Sequence, residues 1–175
     1  SKVELIGIVG TDFPDHGWET LKLKNIDYTN IEIKEGNTFS WGGKYSDDYS
    51  IRDTLFTELG VFETYKPVIK NSLNDNGILF LANIHPSLQL DVLNQMKSNV
   101  SLVVADTMNL WIDTDLKGVN EVISKSNIFL LNDEEARQLT GLSNLEDAGT
   151  CIQQQGPDTV IIKMGGSGSL LIEGE

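Results

Sequence analysis

The fold of this chain is decided by the stretch Asn127-Ile-Phe-Leu-Leu-Asn132-Asp-Glu-Glu135-Ala-Arg-Gln-Leu-Thr-Gly141. Its first five residues form an apolar run that is typical of a buried parallel strand, and the rest predicts a helix that starts at Asn132 or Asp133 and ends at Gly141. A polar segment therefore follows the carboxyl end of a strand. That edge of an open α/β sheet, where helix N-termini converge, is where ligands usually bind.

A purely structural interpretation of the same residues stays open. Asn132 and Glu135 are three positions apart, which is the spacing of a capping box, in which each side chain accepts a hydrogen bond from a free backbone N–H at the start of a helix. Such pairs are common, and a cap alone would account for both residues.

Apolar strands alternate with amphipathic helices from Gly60 to the end of the chain. The predicted strands span residues 78–82, 101–105, 127–131 and 159–163, and the predicted helices span residues 86–97, 116–123, 132–141 and 145–154. This alternation predicts an α/β fold with a mostly parallel sheet, right-handed crossovers and helices on both faces.

Three of the predicted strands end in polar clusters, at residues 83–85, 106–109 and 132–135. Because parallel strands place their carboxyl ends side by side, we expect one crevice lined by Asn83, Asp106, Asn109, Asn132 and Glu135. The alternative is that such loops are polar because they are solvated and cap helices.

The amino-terminal third has a different pattern. We predict a strand over residues 3–10, a helix over 15–24, a turn at 27–30 and a half-exposed strand at Ile31 and Ile33. Two aromatic and β-branched segments, 38–45 and 49–57, are separated by the polar residues 46–48, which predicts an antiparallel flap. Its aromatic residues could close over a ligand or form a dimer contact, or the flap could be an ordinary edge hairpin.

A glycine-rich turn lies between two predicted strands, in the sequence Lys163-Met-Gly165-Gly-Ser-Gly168-Ser. It lacks the Gly-Lys-Ser/Thr of a Walker A loop, and a strand rather than a helix follows it, unlike a dinucleotide fingerprint. Glycines here permit a tight hairpin with positive φ. They also let backbone N–H groups approach a phosphate or a nucleobase, with Lys163 supplying a charge.

The charge composition of the chain limits the classes of molecule that we expect it to bind. The chain carries 13 Lys and Arg against 26 Asp and Glu, a net charge of −13. A surface this acidic repels phosphate backbones and anionic lipid, so we expect neither nucleic-acid nor membrane binding. Cys151 is the single cysteine, and no apolar run is long enough for a membrane span. We therefore expect a cytoplasmic protein.

Taken together, these motifs resemble the ribokinase, or pfkB-type, family of sugar and nucleoside kinases. The resemblance is carried by residues 9–12, the flap at 38–45, the stretch 131–141 and the stretch 160–168. It implies a three-layer αβα fold with a β-strand lid at 38–59, a βα core at 60–175, and ATP and Mg²⁺ as cofactors.

The resemblance also implies roles for individual residues. Asn132 and Glu135 would help to hold the magnesium ion, Glu135 through water, and Asn132 would also lie at the nucleotide. Lys163, Gly165 and Gly168 would line the nucleotide. Sugar or nucleoside contacts would come from Trp41, Lys44, Tyr45, Asn83, Asp106 and Asn109, and the lid strands could form a homodimer.

The sequence departs from this family at two places. The family's amino-terminal double-glycine motif would precede Ser1, and its glycine-rich anion hole with the catalytic aspartate would follow Glu175. These departures predict a partial domain, an internal segment that is inactive alone and has no identifiable catalytic base. The leading hypothesis is a sugar kinase that transfers the γ-phosphate of ATP to a hydroxymethyl group. The alternatives are an adenosine-type nucleoside kinase and a non-catalytic module for ligand binding or oligomerisation.

Overall fold

The computed structural model describes residues 2–45, 52–70, 76–96 and 98–174. The chain divides into two compact units, Ser1–Asn71 and Ser72–Glu175. The first unit contains the predicted lid together with the strands and the helix that precede it. The second contains the predicted βα core from residue 72 onward, whereas residues 60–71 of that predicted core belong to the first unit. The predicted turn at residues 46–48 and the start of the strand after it lie outside the described residues.

The first unit begins with a parallel pair of strands joined by a helix. These are β1 (Val3–Gly10), α1 (Asp15–Leu23) and β2 (Ile26–Lys34). The predicted turn at 27–30 is wrong, because those residues lie within β2, and the chain turns at Asn25, whose φ is 53°. Long-range contacts explain the difference: Asn30 is 3% exposed, donates to the Glu4 carboxylate and accepts from the backbone N–H of Lys70 at 2.8 Å.

The predicted flap is a two-stranded antiparallel sheet of β3 (Ser40–Tyr45) and β4 (Arg52–Glu58), followed by a 3₁₀ turn at Gly60–Thr64. Two aromatic rings lie over two glycines of β3. A Cβ atom on Gly42 would stand 2.3 Å from the Phe56 ring, and one on Gly43 would stand 2.2 Å from the Trp41 ring. Glycine at both positions lets the rings lie against the strand, because a side chain there would displace them.

The second unit is a five-stranded sheet with helical connections. Its strands are β5 (Gly77–Leu81), β6 (Val100–Asp106), β7 (Ile128–Asn132), β8 (Thr159–Lys163) and β9 (Ser169–Glu173), in spatial order β5-β6-β7-β8-β9. Its helices are α2 (Pro86–Met96), α3 (Asn109–Thr114), α4 (Leu116–Ser124), α5 (Asp133–Thr140) and α6 (Leu145–Gln153).

The first four of these strands are parallel, and β9 runs antiparallel to β8. The predicted α/β class with a mostly parallel sheet is confirmed, although α3 was not predicted. None of the helices among the described residues is both long enough and apolar enough to cross a membrane.

The two faces of this sheet differ in how well they are covered. Because consecutive parallel strands are neighbours, right-handed crossovers place all their helices on one face. On that face Phe129 and Val160 are fully buried, whereas Phe80 and Leu171 on the other face are 55% and 52% exposed. The prediction of helices on both faces is thus met on one face only among the described residues of this unit.

We expect this difference to appear in the stability of paired variants of the 175-residue chain. Phe129→Ala should lower the free energy of unfolding by about 3–5 kcal/mol, because it opens a cavity in a closed core. Phe80→Ala, the matched control on the opposite face of the sheet, should lower the free energy of unfolding by less than about 1 kcal/mol. Urea unfolding measures both, and equal losses would contradict the assignment of the buried face.

Candidate functional site

Three neighbouring strands of the second unit end in polar side chains at the same edge of the sheet. β6 ends at Asp106, β7 at Asn132 and β8 at Lys163, and Asn132 is the backbone register partner of Lys163. The sequence predicted that the ends of β6 and β7 would lie beside the polar residues 83–85 after β5. The parallel pairing of β5, β6 and β7 places their carboxyl ends at one edge, to which β8 adds Lys163.

The helix that follows β7 starts with a complete capping box. Glu135 N donates to Asn132 Oδ1 at 2.8 Å, and Asn132 N donates to Glu135 Oε2 at 2.7 Å. The other end of this helix closes at Gly141, which has a φ of 72°. The capping interpretation is thus correct, and because the box uses only Oε2 of the carboxylate, Oε1 lies outside it.

The carboxyl group of Glu135 is buried, with 5% of the residue exposed. Burial raises the pKa of the Glu135 carboxyl above its usual value, and the backbone N–H of Asn132 and the Lys163 ammonium partly oppose the rise. The carboxylates of Asp106 and Glu134 add to it. A buried acid whose pKa responds to charges on two other strands is a feature found more often at functional sites than in ordinary caps.

An ion pair joins the two strands on either side of β7. Lys163 Nζ donates to both carboxylate oxygens of Asp106, at 3.0 and 3.1 Å, although the two residues are 57 positions apart. Asp106 Oδ1 also accepts from the backbone N–H of Thr107 at 3.0 Å. The pair therefore spans the carboxyl end of the strand that lies between its partners.

The glycine turn after Lys163 is a short 3₁₀ turn, Gly165–Ser167, between β8 and β9. Gly165 and Gly168 have φ values of 54° and 95°, as the hairpin interpretation requires. Apart from each glycine's own local backbone and its neighbours in the chain, no heavy atom of the described residues lies within 4 Å of the place where a Cβ atom on either glycine would stand. The backbone of this turn is therefore open to close approach by a ligand.

A depression of about 420 Å³ adjoins the turn, between the start of α6 and the β8–β9 hairpin. Its lining residues are Asn144, Leu145, Glu146, Met164 and Leu170. The sequence did not identify it, because its two walls are about twenty residues apart in the chain and meet only through the packing of α6 on the hairpin.

Two predicted crevice residues are held by other protein side chains. Asn83 Oδ1 accepts from Trp111 Nε1 at 2.9 Å, and Asn109 Nδ2 donates to Gln138 Oε1 at 2.9 Å. Gln138 also donates to Asp113 at 2.6 Å, which ties α3 to α5. The sequence did not identify Trp111 or Gln138, because α3 is short and its contacts are long-range.

The sequence also missed a buried polar residue in α2. The predicted apolar stripe included Leu88, but Gln89 is the residue that is 2% exposed, in step with Val92, Leu93 and Met96. The signal available in the sequence was the helical spacing, because Gln89 at position i is followed by apolar residues at positions i+3, i+4 and i+7.

The lid residues of the prediction belong to the first unit. Trp41 is 39% exposed, and its Nε1 lies 3.3 Å from Thr54 Oγ1. Lys44 is exposed, and Tyr45 pairs with Arg52 in the backbone register of the lid.

The side chains at the end of β7 that could bind a metal ion would do so through oxygen atoms. The described residues contain no cluster of three or more His, Cys, Asp or Glu side chains that could enclose a metal ion. The amide and carboxylate oxygens of Asn132 and Glu135 fit a magnesium ion that keeps several waters and takes further ligands from phosphates.

The chain belongs to the pfkB family of carbohydrate kinases, whose family model matches residues 1–175. Members of this family are kinases.

A cytidine kinase of Thermococcus kodakarensis is 27% identical over 178 residues, which cover 99% of this chain and 62% of that protein. The nucleoside kinase of Methanocaldococcus jannaschii, described as an archaeal member of the ribokinase family, has a TM-score of 0.74 at 22% identity, covering 98% of this chain and 56% of that one. A putative ribokinase II from E. coli in complex with ATP and Mg²⁺ has a TM-score of 0.76 at 17% identity, covering 99% and 63%.

At these identities the two structures show the fold alone. The chain spans about three-fifths of the length of these relatives.

We predict that the charge of Glu135 costs stability even though its side chain caps a helix. The raised pKa means that the folded chain holds the proton more tightly than the unfolded chain. The contribution of Glu135 to the stability of the fold is therefore complete below the ordinary pKa of a glutamate. It is lost as the pH rises through the raised pKa of Glu135 in the folded chain. Glu135→Gln keeps an acceptor for the cap without the charge, so its stability relative to the wild type should increase across that window.

Urea unfolding from pH 4 to pH 8 measures this difference. Glu134→Gln is the matched control, because Glu134 is an exposed carboxylate in the same helical turn and adds only the smallest contribution to the raised pKa of Glu135, so its effect across this window should be much smaller. If Glu135→Gln were less stable than the wild type by about 1 kcal/mol at pH 8, the ionised carboxylate would itself be the stabilising group, contrary to this prediction.

Proposed function

We propose that the complete protein transfers the γ-phosphate of ATP to a hydroxymethyl group, and that the acceptor is a nucleoside. The observation that carries the proposal is the buried Glu135 carboxyl group at the end of β7, beside a strand that presents Lys163 and an open glycine turn. A cap alone needs no buried charge, since a glutamine would serve equally well in the box.

The nucleotide would be held by Lys163 and by the backbone of Gly165 and Gly168. Asn132 and Glu135 would hold the magnesium ion, Glu135 through water. When bound, the ion neutralises negative charge that develops on the transferred phosphoryl group. The protein side chains orient the phosphates, and the Lys163 ammonium supplies a fixed positive charge near them.

The nucleoside is favoured over a free sugar by the relatives. A cytidine kinase and an archaeal nucleoside kinase match nearly all of this chain, and both relatives are named for nucleosides. A free sugar is the second candidate, since the family as a whole is named for carbohydrate kinases. Both acceptors offer a primary hydroxyl on a furanose or related ring. The need for ATP agrees with the cytoplasmic location expected from the sequence.

We further propose that the catalytic base is supplied by sequence outside these 175 residues. The relatives are longer than this chain, which spans about three-fifths of their length. These 175 residues contain no Gly-Ala-Gly-Asp sequence, the motif that would supply the family's glycine-rich anion hole and catalytic aspartate. The isolated segment should therefore bind ligands at most and should not turn them over.

Phosphorylation assays of the complete protein test the proposal. With ATP and Mg²⁺, a panel of ribonucleosides should include at least one substrate that is used with a higher kcat/KM than free ribose or other sugars. Thermal shifts across the same panel should rank the ligands in the same order, because a ligand stabilises the folded state in proportion to its binding. Turnover of sugars alone would support the second candidate. Binding without turnover by the complete protein would support a non-catalytic module.

Glu135→Ala in the complete protein should lower kcat by about 100-fold or more, since it removes the carboxylate that we assign to the magnesium waters. Glu134→Gln is again the control and should retain activity close to that of the wild type. An active Glu135→Ala variant with unchanged dependence on Mg²⁺ would overturn the assigned role of the carboxylate.

We also propose that two copies of the chain associate through the lid strands. A two-stranded sheet is only marginally stable alone in water, and β4 exposes Leu55 at 66% and Phe56 at 47%. A second lid would cover the same surface on both copies, as a twofold dimer requires.

Sedimentation velocity tests the association through the lid. Leu55→Lys should shift the complete protein from dimer to monomer. Leu23→Lys, at an 84% exposed position of α1, is the control and should leave the dimer intact. A wild-type protein that is monomeric at micromolar concentrations would contradict the proposal.

A further inference from the structure

Gln89 is a polar residue in an otherwise apolar face of α2. It is 2% exposed and is aligned along the helix with Val92, Leu93 and Met96. Burial of an amide costs free energy unless its hydrogen bonds are made. A methionine of similar volume would fill the same place without that requirement, so the contacts of the amide need an explanation beyond packing.

The amide nitrogen of Gln89 lies at the carboxyl ends of two neighbouring strands. Nε2 is 3.2 Å from the carbonyl oxygen of Leu81, 3.0 Å from that of Ala82 and 2.9 Å from that of Asp106. The backbone pairing of β5 with β6 ends at Leu81 and Ala105. Gln89 therefore continues the connection between the two strands beyond their last backbone pair.

The contact to Asp106 leads directly to the candidate nucleotide site. The carbonyl of Asp106 is held by Gln89, and its carboxylate is held by the Lys163 ammonium at 3.0 and 3.1 Å. The ion pair crosses the end of β7, where Asn132 lies in register with Lys163. A shift in the backbone of Asp106 would therefore move the carboxylate that fixes the position of the ammonium.

We propose that Gln89 is a positioning residue for the Asp106–Lys163 ion pair, and through it for the charge that faces the nucleotide. This inference rests on the proposed function, because it assigns a nucleotide to Lys163. Gln89 fixes the ends of β5 and β6, Asp106 projects from the fixed end of β6, and Lys163 is held over the end of β7. A residue of α2 that contacts the end of β5 thus controls the position of the Lys163 side chain on β8, three strands away.

Calorimetric titration of the complete protein with ATP and Mg²⁺, without an acceptor, tests this chain of contacts. Gln89→Met removes the amide and keeps the volume, and it should raise the Kd for the nucleotide about fivefold to tenfold. Val92→Ala is the matched control. It truncates the same buried face of α2 one turn away, should lower the melting temperature, and should leave the Kd within about twofold of the wild-type value.

A double-mutant cycle separates positioning from a general loss of structure. In a Lys163→Met background the effect of Gln89→Met on the Kd should fall within about twofold, because the group that it positions is gone. Should Gln89→Met fail to fold, Gln89→Leu serves the same test, because it removes the amide donor without placing a charge against the three carbonyl oxygens.

The results of these titrations distinguish a failure of the positioning role of Gln89 from a failure of the proposed function. An unchanged Kd in the Gln89 variant, or an equal effect with and without Lys163, would overturn the positioning role. The proposed function would survive that result if the wild type still phosphorylated a nucleoside. A wild-type protein that does not bind ATP would overturn both.

Discussion

The reciprocal pair of hydrogen bonds between Asn132 and Glu135 is the interaction on which the rest of the site depends. It ends β7, starts α5 and brings a carboxyl group into a buried position with 5% exposure. The structural and functional interpretations of these residues are therefore not alternatives. The cap fixes the geometry, and the charge, which the cap does not need, is the part that the proposed function assigns to the magnesium waters.

The order of the strands explains why the site forms where it does. β5, β6, β7 and β8 are neighbours in the same order as in the chain. Their carboxyl ends therefore meet at one edge, and their crossover helices share one face. The same constraint leaves apolar side chains such as Phe80 and Leu171 exposed on the other face. In the complete protein we expect that face to be covered, since large exposed apolar patches are rare on folded domains.

The sequence predicted the parts of the structure that depend on local patterns. The start and end of α5 followed from Asn132 and Gly141, and the hairpin followed from Gly165 and Gly168. Features that depend on distant partners were missed or wrong. The segment 27–30 has turn-forming residues, but pairing with β1 draws it into β2. The Lys163–Asp106 ion pair and the contacts of Gln89 join residues that no spacing rule connects.

The electrostatics of the sheet edge restrict how an anionic nucleotide could be accommodated. Lys163 is already paired with Asp106, and burial raises the pKa of Glu135, to which the carboxylates of Asp106 and Glu134 add. The whole chain carries a net charge of −13. A bare triphosphate approaching this edge would therefore meet more negative than positive charge. Under the proposed function, the nucleotide must arrive with its own positive charge, and the oxygen ligands of Asn132 and Glu135 suit a hydrated divalent cation that accompanies it.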